Sequence, residues 1–377
     1  MNRPSSLRAT NGSRLERWIS PEEVERISNA CRTWYGPPIP VASVPGEVYV
    51  TRGGDFVGEI KGGSFASLLD YRVERFRRAF QRWGKAQRRT ASMAGFSSLS
   101  DLISEATAGG KRRSFPFQKV GTTGVIGSAN SLWRVGNMPT AGGAASAAPG
   151  GDALTDASTG AFPFANPTGG DTQHVVRADY LGSVAGNTLL LYDRIFQVGK
   201  TMSSTTTEAV TGVPTRYQST TPGDIDSAEG NFLFPEIQGA LGATAHNWTV
   251  CQYQDQAGNA TENLPSFAGI NGGIINRLDF NAAQTWFAPL NAGDTGVRQL
   301  KQMQCDASVT GTLAFVIGHP LAFFPVPLAN NMLIWDGINS AFSLVRVFDD
   351  AALALLEISK SATTATTYTG MIDTVSG

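Results

Sequence analysis

The chain has 377 residues, 16% charged and 41% hydrophobic, with 42 glycines and a formal net charge of −1. That length carries a sizeable core and room for two domains. The apolar content excludes a disordered protein, and charge well below the usual quarter implies many turns and much surface covered by something other than water. The small total hides an asymmetry: residues 1–120 hold 20 of the 30 Lys/Arg but only 11 of the 31 Asp/Glu, which leaves 10 and 20 for residues 121–377. A basic arm or module is therefore joined to an acidic body.

No run approaches ~18 apolar residues, so no membrane-spanning helix is expected. Met1 to Arg14 is polar and basic, without the apolar stretch of a signal peptide. Cys31, Cys251 and Cys305 have neither disulfide-framework nor metal-ligand spacing. The last two fall in strand-like runs and read as small core hydrophobes.

In chain order, residues 1–13 read as a tail. Ser20-Pro21-Glu22-Glu23 is a helix start, with Ser as N-cap and Pro at the first helical position. A Pro-rich extended stretch, Pro37 to Pro45, reads as a linker or an arm. Glu47–Thr51 and Phe56–Ile60 around Gly53-Gly54 predict a β-hairpin with little core of its own.

From Ser64 to Lys85 the period becomes helical. Leu68, Leu69, Val73, Phe76, Phe80 and Trp83 fall on one side. Arg72, Arg75, Arg77, Arg78, Arg82, Lys85, Arg88 and Arg89 form the other side and the tail. The basic side reads as a solvated face, as a nucleic-acid contact, or as a contact with the acidic surface of a neighbouring subunit. Arginine forks favour phosphate and carboxylate partners.

Residues 97–103 predict a short helix, followed by a basic spot at Lys111, Arg112 and Arg113. Strands are expected at Phe115–Val120 and Leu132–Val135. Residues 136–170 are rich in Gly, Ala, Pro and Thr and read as a long loop that drapes over a neighbour. Thr188–Val198 predicts a buried strand running into an alternating one. Residues 231–237 and 247–253 predict further strands, and Ile274, Ile275, Leu278 and Phe280 another.

Gly293-Asp294-Thr295-Gly296 opens the clearest pattern. Val297 to Gln304 alternates with period two, as a strand with one wet face does. Thr310-Gly311 follows, then the unbroken apolar run Leu313–Ile317. Together they predict a hairpin of a β-sandwich. Asn339–Ser359 reads as strand, short helix, strand, with Asp349-Asp350 in the middle, and Ser361–Gly377 as extended. The fold expected is mainly β, a jelly-roll-like β-sandwich body over residues 93–377. Residues 1–92 add an arm, a hairpin and one long basic amphipathic helix.

No catalytic set stands out. His174, His246 and His319 lack metal-spaced partners and read as structural. No phosphate loop, dinucleotide fingerprint or nucleophile elbow occurs. Asp294-Thr295-Gly296 matches the aspartic-protease tripeptide, but that chemistry shares a proton between two carboxylates, and a single copy at a turn reads as a turn. Asp224, Asp226, Glu229 and Glu236 crowd a loop without the calcium-loop pattern. Neither an enzyme, nor a cofactor, nor a metal is expected.

Several stretches resemble structural proteins of tailed-bacteriophage particles. They are Phe96–Leu102, Leu189–Phe196, Thr215-Arg216-Tyr217, Asp255–Asn259, Gly293–Arg298 and His319–Ala322. The resemblance runs from Phe96 to the C-terminus and leaves residues 1–92 outside it. It implies a virion component whose partners are copies of itself and other virion proteins. The placement expected first is a capsid-associated cement, decoration or minor capsid protein. The major capsid protein and a tail or neck component are alternatives within the class. A nucleic-acid-binding protein, meeting the packaged genome through the basic arm, is the alternative outside it.

Overall fold

The computed structural model describes residues 47–52, 55–61, 95–259, 261–282, 285–340, 344–359 and 365–377. The chain divides into two compact units, Met1–Ala91 and Ser92–Gly377. In the first, β1 (Glu47–Arg52) and β2 (Asp55–Lys61) pair antiparallel. This is the hairpin expected around Gly53-Gly54. The basic helix expected over 64–85 lies outside the described residues, as does Cys31.

The second unit opens with α1 (Leu99–Thr107), β3 (Arg112–Val120), β4 (Ala129–Ser131), β5 (Asn137–Met138) and β6 (Asp152–Ala153). Then come β7 (Gln173–Gly182), β8 (Asn187–Met202), β9 (Glu208–Ala209), β10 (Phe232–Gly239) and β11 (Asn247–Asp255). The short β12 (Glu262–Asn263) and β13 (Phe267–Ala268) precede the long β14 (Val297–Cys305) and β15 (Val309–Val326). The chain closes with β16 (Leu333–Asp336), the one-turn α2 (Gly337–Ser340), β17 (Val345–Val347), β18 (Leu353–Ile358) and β19 (Thr367–Ser376).

These strands form three antiparallel sheets. One has the order β10-β15-β8-β18-β4, with β6 also on β8. A second is β12-β11-β14-β9, with β13 also on β11, and the third is β16-β7-β19-β3-β5, with β17 also on β7. The first sheet supplies two cores, and period-two alternation explains how. On β8, Leu190 and Tyr192 join Trp248, Tyr253 and Leu300 of the second sheet. Leu189 and Leu191, pointing the other way, join Val175, Tyr180 and Tyr368 of the third. A strand with a core on each side reads as a continuous apolar run, which is what Leu189–Leu191 is, while the buried run Leu313–Ile317 lies wholly in the first of these cores.

Prolines mark where strands have one neighbour. Pro235 lies on the end strand β10. Pro320 and Pro325 follow Gly318, beyond which β15 pairs with β8 alone. Pro116 of β3 faces Met371, while β5 reaches only Gln118 and Lys119. A missing N–H is tolerated at such positions, where no ladder runs on the outer side.

Ser98 caps α1, its hydroxyl accepting from the Asp101 N–H at 3.1 Å. Leu102 then packs with Phe96 and Val375 in a small third core.

Four local expectations are corrected. Residues 297–305 and 309–326 are both strands but not a hairpin. β14 pairs with β11 and β9, β15 with β8 and β10. The three residues between them carry the chain from one sheet into the facing one, so Cys305 and Val309 enter the same core. Ile274–Phe280 holds only isolated bridges, Asn130 to Arg277 and Glu236 to Leu278. Residues 136–170 are not all loop: they hold β5 and β6 and pack on their own body, burying Leu154, Phe162 and Phe164. In the last segment the helical turn, α2, precedes β17, and between β17 and β18 the chain turns at Asp350, whose φ is 59°.

Candidate interaction site

The buried charges of the second unit come first, because a reaction centre would draw on them. Arg194 and Glu236 are fully buried and paired at 2.7 Å. The same guanidinium donates to Gln197 Oε1 at 2.8 and 3.1 Å and to the Tyr192 hydroxyl oxygen at 3.2 Å, and lies over the Trp133 ring. Burial opposes its charge, but Glu236 more than offsets this and raises the Arg194 pKa. Glu236 therefore leaves the acidic loop cluster in which the sequence had placed it. It faces inward on β10.

Arg216 grips Asp193 with two parallel bonds of 2.8 and 2.7 Å, and Asp193 also accepts the Ala352 N–H at 2.9 Å. Glu357 takes bonds from Asn130, Asn187 and the Tyr368 hydroxyl. Burial raises its pKa against those bonds.

His246 sits between two acceptors: Nδ1 faces the Thr244 carbonyl at 3.2 Å, and Nε2 faces both Asp279 oxygens at 3.2 and 3.0 Å. Both nitrogens must donate, so the ring is an imidazolium. Burial disfavours the charge, yet the bond and charge of Asp279 hold the His246 pKa above its ordinary value. Asp279 also accepts from Trp248 Nε1 at 2.7 Å and the Ile270 N–H at 2.8 Å. Neither nitrogen of His246 meets a hydroxyl or thiol, and Gly269 seals the pair: a Cβ there would lie 1.9 Å from Nε2. This is a pin between loop and strand.

Cys251 and Cys305 are buried free thiols, as expected of core hydrophobes. Asp294 accepts the Tyr253 hydroxyl, so the Asp-Thr-Gly turn is an anchor. Among the described residues, no group of three or more His, Cys, Asp or Glu is placed to hold a metal ion, and no helix is long and apolar enough to cross a membrane.

The described residues also form an open cleft. A cleft of about 240 Å³ is lined by Tyr217, Ile225, His319, Pro320, Leu321, Leu344, Val345, Arg346 and Phe348. Its floor is aromatic. Tyr217 stacks on His319 with centroids 4.0 Å apart and meets Phe348 edge-on at 4.8 Å. Tyr217 takes a φ of 53°, and the neighbouring Arg216–Asp193 pair holds it there. Asn231 Nδ2 donates to the Val297 carbonyl, which leaves its Oδ1 to accept from His319 Nδ1 at 2.9 Å. Burial lowers the His319 pKa to about 4, so at neutral pH this ring is uncharged and its Nε2 is an acceptor. The Arg346 guanidinium lies 4.3 Å over the Phe348 ring.

The rim is acidic. Asp224 and Asp226 flank Ile225, which is 61% exposed, and Asp349 and Asp350 follow Phe348. Asp224 accepts the Ser219 hydroxyl at 2.7 Å, and Asp350 accepts Asn166 Nδ2 at 2.7 Å. None of the four carboxylates has an ion-pair partner among the described residues.

Of the basic residues picked out in the sequence, Arg72, Arg75, Arg78, Arg82, Lys85, Arg88 and Arg89 lie outside the described residues. Lys111 pairs with Asp171 at 2.9 Å and Glu105 at 3.0 Å, which raise its pKa. Arg112 pairs with Asp373 at 2.7 Å, and Arg113 donates to the carbonyls of Gly110 and Arg112. The 111–113 spot thus ties α1 and β3 to the body. The cleft itself was not visible as a unit in the sequence, although Thr215–Tyr217, Asp224/Asp226, His319-Pro320 and Asp349-Asp350 each stood out separately.

No protein family matches the chain, and no curated protein does. Among solved structures it is similar to that of the infectious bursal disease virus Gt strain, at 9% identity and a TM-score of 0.15, over 71% of this chain and 80% of that one. The infectious bursal disease virus Gx strain gives 9% identity and a TM-score of 0.15, over 71% and 81%. A TM-score at this level assigns no fold.

Proposed function

We propose that the chain is a structural subunit of a virus particle, a capsid-associated protein of the tailed-bacteriophage type that cements or decorates the shell. The observation that carries this reading is the use made of the buried ionisable groups. Arg194–Glu236, Arg216–Asp193 and His246–Asp279 each join one strand or loop to another, with their bonds turned inward. Such pairs hold register and layer spacing. The resemblance of the stretches from Phe96 to Ala322 to phage structural proteins points the same way, as does the charge asymmetry, since opposite charges on neighbouring copies set orientation more than affinity.

The Arg-rich stretch 72–89 favours a second reading, a contact with packaged nucleic acid. That contact would weaken about 10³-fold or more between ~50 and ~200 mM salt, if six or more phosphates are engaged. The first test is the mass and shape of the purified chain, by light scattering and negative-stain microscopy at low and moderate salt. Rings, shells or stable oligomers are the expected result. A strict monomer at every salt and concentration would sink assembly by self-contact.

A further inference from the structure

We propose that the aromatic-floored cleft, with the acids that neighbour it in the chain, is the seat for a second copy of this chain, which enters through its Arg-rich stretch 72–89. This rests on the reading of the protein as an assembling subunit and names the surface that reading needs. Two independent features of the cleft set the chemistry of its occupant. The floor, Tyr217, His319 and Phe348, offers aromatic faces and edges beside the exposed Ile225. Phe348 already takes one guanidinium, that of Arg346, on its face. In the chain, Asp224 and Asp226 flank the lining residue Ile225, and Asp349 and Asp350 follow the lining residue Phe348, while Arg346 is the cation among the described lining residues. An occupant that fits must bring cationic groups with flat, weakly hydrated heads, and apolar groups between them.

The chain carries such a segment. Arg75-Phe76-Arg77-Arg78-Ala79-Phe80-Gln81-Arg82-Trp83 alternates guanidinium and aromatic groups, and residues 64–89 hold eight Lys/Arg against two Asp/Glu. The body, residues 93–377, holds 14 Lys/Arg against 22 Asp/Glu. The match is therefore of charge, with the cleft giving it an address. A second copy, and not an unrelated basic protein, is the occupant argued for because the segment and the acidic seat occur once each in every chain. A head-to-tail contact of this kind propagates from copy to copy, as an assembly requires.

The test uses the full chain and reads association by sedimentation or light scattering at low salt. Asp226 and Asp349 are exposed and without side-chain partners among the described residues, so Asp226→Lys/Asp349→Lys is expected to fold as the wild type does, checked by thermal melting. This variant is expected to associate at least tenfold more weakly. Arg75→Glu/Arg78→Glu/Arg82→Glu is expected to do the same. Mixing the two variants restores opposite charges at both contacts and is expected to recover association. Wild-type association that neither reversal weakens overturns the clasp and leaves the subunit reading standing. So does a mixture that fails to recover. A wild type that never associates overturns the clasp and assembly by self-contact, and leaves attachment to a preformed shell as the subunit reading.

Discussion

At Arg194 and Glu236 two charges lie out of water, and their cost is offset only because the bonding around the guanidinium is nearly complete. Removing one partner strands the other. Arg194→Met is expected to cost about 3–5 kcal/mol in urea unfolding, whereas Arg194→Met/Glu236→Met regains much of that loss. His246 makes a pH-dependent contribution of defined sign. Its pKa is higher folded than unfolded, so the stabilisation is complete below the unfolded value of about 6.5 and is lost as pH rises through the folded one. The stability difference between wild type and His246→Gln is therefore expected to be largest near about pH 5.5 and to shrink at alkaline pH. Lys119, which burial lowers to about 8 and three carbonyl oxygens hold, is common to both proteins and drops out of their difference. Urea midpoints of the two proteins across pH check this, and a difference that grows with pH would contradict the imidazolium assignment.

Turns and strands show how layers are joined. The turn Gly293–Gly296 holds β14 against the loop before β10. The Gly230 N–H donates to the Thr295 carbonyl at 2.8 Å, and the Val297 N–H to the Asn231 carbonyl at 3.1 Å. Gly296 has no room for a side chain, since a Cβ there would lie 1.9 Å from the Ala228 carbonyl oxygen, which is backbone and cannot swing aside. Gly296→Ala is expected to cost about 1–3 kcal/mol as overpacking, read as a lowered urea midpoint. It should also disturb the cleft, whose acidic loop ends at Ala228. Leu191 of β8, fully buried in the core shared with the third sheet, is expected to cost about 2–5 kcal/mol on Leu191→Ala. The effect should be the same with or without residues 1–92.

For the whole chain, the division at residue 91 makes a prediction of its own. A chain of residues 93–377 keeps all three sheets and both large cores. It is expected to unfold in one cooperative transition while losing association, as measured by chemical melting and light scattering. An insoluble product would contradict an independently folding body. The net charges then describe two partners, a basic unit and an acidic one, each lacking what the other carries.

What the sequence by itself determined is local. Period-two alternation located β14, unbroken apolar runs located β8 and β15, Gly-Gly located the β1–β2 hairpin, and the stretch 97–103 was legible as the short helix α1. Each of these signals is a property of adjacent residues. The sequence also showed the acidic loop at 224–229 and the pair Asp349-Asp350, but as separate features about 125 residues apart. Only the tertiary structure decided that Ile225 and Phe348, the neighbours of these acids, line one cleft together with His319 and Pro320 of β15. It alone decided that β14 and β15 part into facing sheets. A three-residue link suits a hairpin and a crossing alike, and the choice rests on which apolar face finds a partner. It likewise decided which charges are buried. Glu236 reads as one acid among the four of residues 224–236, and is set apart only because Arg194, from a strand two places away in the sheet, meets it in the core.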